Sequence, residues 1–170
     1  MAQQIHIVDT TLRDGSHAVS HSFSPDQVRK IASQLDRSGV YMIEVSHGDG
    51  ISGSSYNYGF GKYPEMDLIA AAADVVKNAK LDILLIPGIG TVADLKRARA
   101  LGVNAVRVAT HVTEADVSAE HIRAAKELDM FAVGFLMMAH MAPPEKIAEQ
   151  AKLMESYGAD YINIADSAGY

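Results

Sequence analysis

Ile5-His6-Ile7-Val8-Asp9-Thr10-Thr11-Leu12-Arg13-Asp14-Gly15-Ser16-His17 is the stretch that decides the fold. Its first four residues alternate in the manner of a strand, and the run then breaks into polar residues. A guanidinium, a carboxylate and an imidazole fall within five positions, around a glycine that lets the backbone turn. Each group has its own chemistry. Asp holds a hard cation, Arg grips a carboxylate in a fork, and His moves a proton near neutral pH. By itself the stretch also fits an ordinary turn with a surface ion pair.

Working outward, the same unit recurs. Ser24-Pro25-Asp26-Gln27 reads as a helix start. Ser24 caps, Pro25 takes the first helical position and Gln27 reaches back as in a capping box. That helix runs to about residue 38 and ends at Gly39. A second strand covers 41–46, followed by a polar, glycine-rich loop over 48–63 with no period, the kind that is functional or mobile in a compact domain. A helix over 64–78 leads to a third strand at 82–86. Thr91 caps a helix to about 101, stopped by Gly102. A strand at 105–109, a helix over 118–128, a strand at 131–137, a helix from Pro143-Pro144 to about Tyr157 and a sixth strand at 161–165 complete the pattern.

These are five strand–helix units and a sixth strand. The strands read as apolar on both faces, as in a parallel sheet covered by helices. A (β/α)8 TIM barrel and an open doubly wound sheet both fit. The polar residues choose between them. Arg13, Asp14, His17, Glu44, His47, His111, His140, Asp166 and Ser167 all fall at or just past strand C-terminal ends. Barrels build their active sites there from many strands, whereas an open sheet gathers its site at one switch point. No G-x-G-x-x-G or P-loop motif is present. The α/β class is therefore read as a TIM barrel. A full barrel has eight units and about 250 residues, so residues 1–170 read as a partial catalytic barrel domain, incomplete as it stands, with exposed edges that favour association.

Composition narrows the function classes. Apolar residues make up 48% and charged residues 21% of the chain, which suits a globular domain. A net charge of −6 with no basic block argues against nucleic acid. With no Cys, disulfides and zinc–thiolate sites are excluded. Met1-Ala2-Gln3-Gln4 leads directly into the first strand without the features of a signal peptide, and no apolar run reaches membrane-spanning length. The expectation is a cytoplasmic protein.

The motifs resemble a known family. DTTLRDGSHAVSH from Asp9, EVSHGDG from Glu44, GSSYNYG from Gly53, IPGIGT from Ile86, VRVATHVTEAD from Val106, GFLMMAHM from Gly134 and DSAG from Asp166 are similar to the 4-hydroxy-2-oxovalerate aldolases. These are class II pyruvate aldolases of the Asp-Arg-Glu metallolyase barrels. Related acyl-transferring synthases usually carry Gln where this chain has His17. The resemblance implies retro-aldol cleavage of 4-hydroxy-2-oxopentanoate to pyruvate and acetaldehyde, in the catabolism of aromatic compounds or steroids. It implies a divalent cofactor, Mn²⁺ or else Mg²⁺ or Co²⁺, and an acylating acetaldehyde dehydrogenase as partner.

Residue roles follow from the same resemblance. Asp14 is the implied metal ligand. Arg13 binds the pyruvate carboxylate or the enolate oxygen, Glu44 either orients Arg13 or stands behind the metal's ligands, and Ser167 touches the substrate carboxylate. His17 is the implied base for the C4 hydroxyl proton, a task that an imidazole suits. His21, His47, His111 and His140 are open between pocket-lining and structural roles, and His6 and His121 are read as structural. The family also uses a His-x-His metal pair and a proton-donating Tyr from later strands. No His-x-His spacing occurs in this sequence. Two other readings stay open: a non-catalytic fragment that keeps a partner surface, and a Claisen-type synthase.

Overall fold

The structure is a computed structural model that describes residues 5–169; the expected reading of Met1–Gln4 and the terminal Tyr170 lie outside the described residues. Six strands, β1 (Val8–Asp9), β2 (Met42–Glu44), β3 (Lys80–Leu85), β4 (Ala105–His111), β5 (Phe131–Met137) and β6 (Tyr161–Ile164), form one sheet. Every pairing is parallel and the spatial order is β1-β2-β3-β4-β5-β6. An open doubly wound sheet reverses its order at a switch point. Unbroken sequential order is that of a barrel wall, and the structure is its first six strands.

Five helices connect them: α1 (Pro25–Ser38), α2 (Glu65–Ala73), α3 (Val92–Ala100), α4 (Ala119–Glu127) and α5 (Pro144–Ser156). Their starts follow the sequence signals. The Ser24 hydroxyl accepts from the Gln27 backbone N–H while the Gln27 side chain accepts from Ser24 N–H, a full capping box, and Gly39 closes α1 at φ 83°. Thr91 and Asp94 make a second reciprocal cap on α3. Helix α2 is shorter than the expected 64–78. It ends at Ala73, and the Asp36 carboxylate accepts from the backbone N–H groups of Asn78 and Ala79 at 2.9 and 2.8 Å, holding the extended approach to β3. The first strand also differs from expectation, since the ladder begins at Val8 and Ile5 stays 85% exposed. Among the described residues no helix is long and apolar enough to cross a membrane.

Strand register separates the two faces of the sheet. Ile43, Ile83, Leu85, Val106, Val108 and Leu136 point outward into the main core against the helices. The alternate residues point to the concave interior. At its floor Met42, Ala105 and Val133 form a second apolar cluster with Val8, Tyr41 and Phe131. Above them Glu44 stands opposite Asp82 and Leu84 opposite Arg107. The expectation that both faces are apolar is therefore corrected. The interior face carries charge because a barrel core narrows to apolar side chains at its floor and opens toward a site at the strand C-terminal ends.

Candidate functional site

The first loop is bent so that Arg13 points inward. Arg13 N and Gly15 N both donate to Thr10 O, and a 3₁₀ turn over Asp14–Val19 follows, locked by the Ser16 hydroxyl donating to Arg13 O at 2.6 Å. The Arg13 side chain is 12% exposed. Its Nε donates to Glu44 Oε1 at 2.5 Å, and one terminal nitrogen donates to Asp14 Oδ1 at 2.9 Å and to Gly48 O at 3.2 Å. Glu44 is fully buried, and its second oxygen accepts from Arg107 at 2.9 Å. The Arg107 guanidinium lies 4.3 Å from the centre of the Phe135 ring, a favourable cation–π seat. One carboxylate thus bridges two guanidinium groups. Removing one partner of such a buried pair strands a charge and costs about 3–5 kcal/mol. Asp82 completes the layer, fully buried beside Glu44, with both carboxylate oxygens lacking a hydrogen-bond donor. Burial, then the neighbouring Glu44 charge, pushes the Asp82 carboxyl well above the ordinary carboxylate range.

Histidines form a second cluster on the same rim. His47 is buried, its Nε2 lies 3.0 Å from Gly59 O, and its Nδ1 accepts from Asp49 N–H at 3.2 Å. Those partners define the neutral Nε2–H tautomer. His21 stacks on the His47 ring at 3.8 Å, and His17 meets His21 edge-on at 4.9 Å. Burial, then its histidine neighbour, lowers the pKa of both His21 and His47. His17 is more open, with 46% of its side chain exposed and Nε2 4.0 Å from Asp49 Oδ2. It rests on Gly48, where an added Cβ would come within 2.3 Å of His17 Nε2. Beneath the loop, Glu65 accepts from His47 N and Ser52 N at 2.7 and 2.9 Å. This half-buried carboxylate ties the loop over 48–63 to α2, although desolvation raises its pKa overall.

Residues 4–170 match the HMGL-like family model. The chain belongs to the HMGL-like family. It is 66% identical to a 4-hydroxy-2-oxovalerate aldolase of Moorella thermoacetica and 60% identical to one of Carboxydothermus hydrogenoformans, each match covering 99% of this chain and 50% of the relative. The family likeness read from the motifs is thus borne out, and the chain spans about half the length of these curated relatives. The carboxyl transferase domain of Rhizobium etli pyruvate carboxylase aligns over 98% of this chain and 31% of its own, at a TM-score of 0.79 and 16% identity. That likeness shows the fold alone, and it agrees with a barrel wall.

In this HMGL-like chain the residues singled out from sequence divide into three groups. Arg13, Asp14 and Glu44 meet directly. His17 follows three residues after Asp14 and shares Gly48 with Arg13, one at its α-carbon and one at its carbonyl. Ser167 lies on the rim beyond β6, where its hydroxyl oxygen accepts from Met138 N at 3.0 Å and joins the ends of β5 and β6. Among the remaining histidines, His140 pairs with Asp166 at 3.2 Å and His111 bonds the Thr113 hydroxyl at 2.9 Å. His47 is built into the loop support.

Asp82, Arg107 and Asp49 were not singled out. The signal for the first two was available: a charge at an interior position of an apolar strand, the same signal that flags Glu44. Asp49 sits in a polar loop where charge is unremarkable. The donors suit a divalent cation chemically. Asp14 is 63% exposed and engages Arg13 through Oδ1, and a carboxylate of this kind can offer an oxygen to a hard cation. His17, His21 and Asp49 also offer one donor atom each within 4.8 Å of one another.

Proposed function

We propose that this chain forms the first part of a divalent-metal-dependent aldolase that cleaves 4-hydroxy-2-oxopentanoate to pyruvate and acetaldehyde. The observation that carries the reading is the Arg13 guanidinium, gripped from behind by buried Glu44 and flanked on the rim by Asp14 and His17. The names of relatives at 60% identity and above support it. A cation such as Mn²⁺, Mg²⁺ or Co²⁺, held in part by Asp14, would supply Lewis-acid stabilisation at the keto oxygen. Arg13 presents a fixed positive charge to the substrate carboxylate or to the oxygen on which negative charge grows as the bond breaks. It needs no reorganisation, because Glu44 and Gly48 O already hold its orientation.

His17 accepts the C4 hydroxyl proton as the C3–C4 bond breaks. The C3–C4 electron pair passes to the pyruvate fragment as its enolate, acetaldehyde leaves, and a proton taken up at C3, equal to the one lost from the C4 hydroxyl, completes pyruvate. Asp49, near His17 Nε2, steadies the imidazolium that forms. Ser167 contacts the substrate carboxylate from the far side of the rim. We further assign the protein to the cytoplasm and to the catabolism of aromatic compounds or steroids. An acylating acetaldehyde dehydrogenase would receive the aldehyde.

The test supplies what lies beyond this stretch of the relatives. Residues 1–170 are joined to the second half of the Moorella thermoacetica relative, and pyruvate release from 4-hydroxy-2-oxopentanoate is followed with and without Mn²⁺. Metal-dependent release that falls on Arg13→Met is the expected result. A folded chimera that binds Mn²⁺ and releases no pyruvate overturns the proposal.

A further inference from the structure

Among the described residues, Asp82 is the carboxylate of the interior layer that forms no ion pair of its own. Glu44 and Asp82 are register partners on adjacent parallel strands, both on the concave face and both without solvent exposure. The surrounding charges are few. Glu44 faces Asp82 from β2, Arg107 comes from β4, and Arg13 lies beyond Glu44 from the first loop. Lys80, on Asp82's own strand, places its ammonium over the Tyr41 and Phe131 rings, 5.5 and 5.0 Å from their centres. Both guanidinium groups are bonded to Glu44, and no side chain donates to either Asp82 oxygen; the nearest donor is the Ile83 backbone N–H.

Two ionised carboxylates cannot bond each other, since each only accepts. An ionised Asp82 would therefore be a buried charge beside a second negative charge, eased only by Arg107 and the Ile83 backbone N–H, a costly state. A single proton removes both problems. The protonated carboxyl of Asp82 becomes a donor, and Glu44 is the acceptor within its reach. Glu44 already accepts from two guanidinium groups, so Asp82 is the carboxyl left to donate.

We infer that Asp82 is a positioning residue: its carboxyl carries a proton that it donates to Glu44, and this bond fixes the carboxylate that orients Arg13. The consequence for chemistry rests on the aldolase reading. With Asp82 neutral, Arg13, Arg107 and Glu44 leave the buried layer one positive charge in excess, behind the exposed Asp14 carboxylate that also bonds Arg13 and beneath the rim where an anionic 2-keto acid would sit. Loss of the proton cancels that excess and sets Asp82 in competition with Glu44 for Arg107.

The sign of the pH dependence follows. A carboxyl whose pKa is raised by folding binds its proton more tightly in the folded chain, so stability declines as pH rises above the ordinary carboxylate value of about 4 toward the raised one. The test uses infrared spectra of the chain labelled with ¹³C-aspartate, and separately with ¹³C-glutamate, together with melting curves across pH. The expected results are a protonated-carboxyl band that persists at neutral pH and vanishes in Asp82→Asn, and a Glu44 carboxylate stretch that shifts as this band titrates. The wild-type melting temperature should fall relative to that of Asp82→Asn as pH rises. Asp82→Leu, which fills the space without a proton, serves if the Asn variant does not fold. Absence of the band at neutral pH, or a Glu44 stretch indifferent to its titration, overturns the inference. No catalysis enters this test, so its failure and the failure of the aldolase reading are separate outcomes.

Discussion

Gly48→Ala should disable His17 while leaving the fold nearly as stable as before. An added Cβ would lie 2.3 Å from His17 Nε2 and 2.4 Å from Cε1, about 1 Å inside ordinary contact. The backbone at Gly48 is not left-handed, so alanine fits its dihedrals and the whole perturbation falls on the imidazole. That ring is the far end of a side chain that is 46% exposed. It escapes by rotating toward solvent, at a cost within about 0.5 kcal/mol, as for surface changes generally. The displacement is nevertheless of the size that costs about 10²-fold in rate when a catalytic group is misplaced.

Gly53→Ala is the control. There an added Cβ would meet His47 Nδ1 at 2.6 Å and Gly50 O at 2.9 Å. His47 is buried and bonded to Gly59 O, so it has nowhere to turn. Overpacking of that kind costs about 1–3 kcal/mol. The two variants should therefore separate in paired assays. Gly48→Ala loses pyruvate release in the completed barrel and keeps its melting temperature, whereas Gly53→Ala melts several degrees lower. Full activity in Gly48→Ala would refute the placement of His17 at the reacting hydroxyl. Equal destabilisation of both variants would refute the argument from burial.

The remaining predictions concern single groups. Asp14→Asn should abolish metal-dependent pyruvate release with little change in melting, because the side chain is largely exposed; unchanged Mn²⁺ affinity would remove Asp14 as a ligand. His17→Ala should lower kcat by about 10²–10⁴ and slow pyruvate proton exchange less, so equal losses in both assays would show that His17 does not serve the C4 hydroxyl alone. Arg107→Met should destabilise the chain by about 3–5 kcal/mol by leaving Glu44 half-paired in the interior, measured by chemical denaturation; a neutral result would mean that water satisfies Glu44. For Asp36, burial raises its pKa, but donation by the Ala79 and Asn78 backbones and the Asn78 amide outweighs it and the net shift is downward. Its contribution is therefore present above the ordinary carboxylate pKa and lost as pH falls through the lowered value. Asp36→Ala should flatten this acid limb of the stability curve, and a melt series that keeps the limb would assign it elsewhere.

Several features were legible because their causes are local. Ser24, Pro25, Gln27 and Gly39 delimit α1 through bonds that span three or four residues, and the fifth strand, 131–137, is bounded as its apolar run predicts. The repeated placement of polar residues after strands gave the barrel, since one face of a wound sheet collects all strand C-terminal ends. The helix expected to reach residue 78 was overestimated for the opposite reason. The chain has left the helix by Asp74, and Asn78 is instead held by Asp36, 42 positions earlier, a contact no local propensity encodes.

The sequence by itself determined the alternation of strands and helices, the caps, and the candidacy of Arg13, Asp14, His17 and Glu44. Only the tertiary structure decided that Arg107, 63 positions from Glu44, shares its carboxylate, and that Asp82 is buried directly beside that carboxylate. It also decided that His47 supports a loop while His17 stands open on the rim. The physical reason is that side-chain period tells which face a residue takes. Strand register and barrel curvature set which residues from different strands then meet, and a charge is costly or useful according to those neighbours.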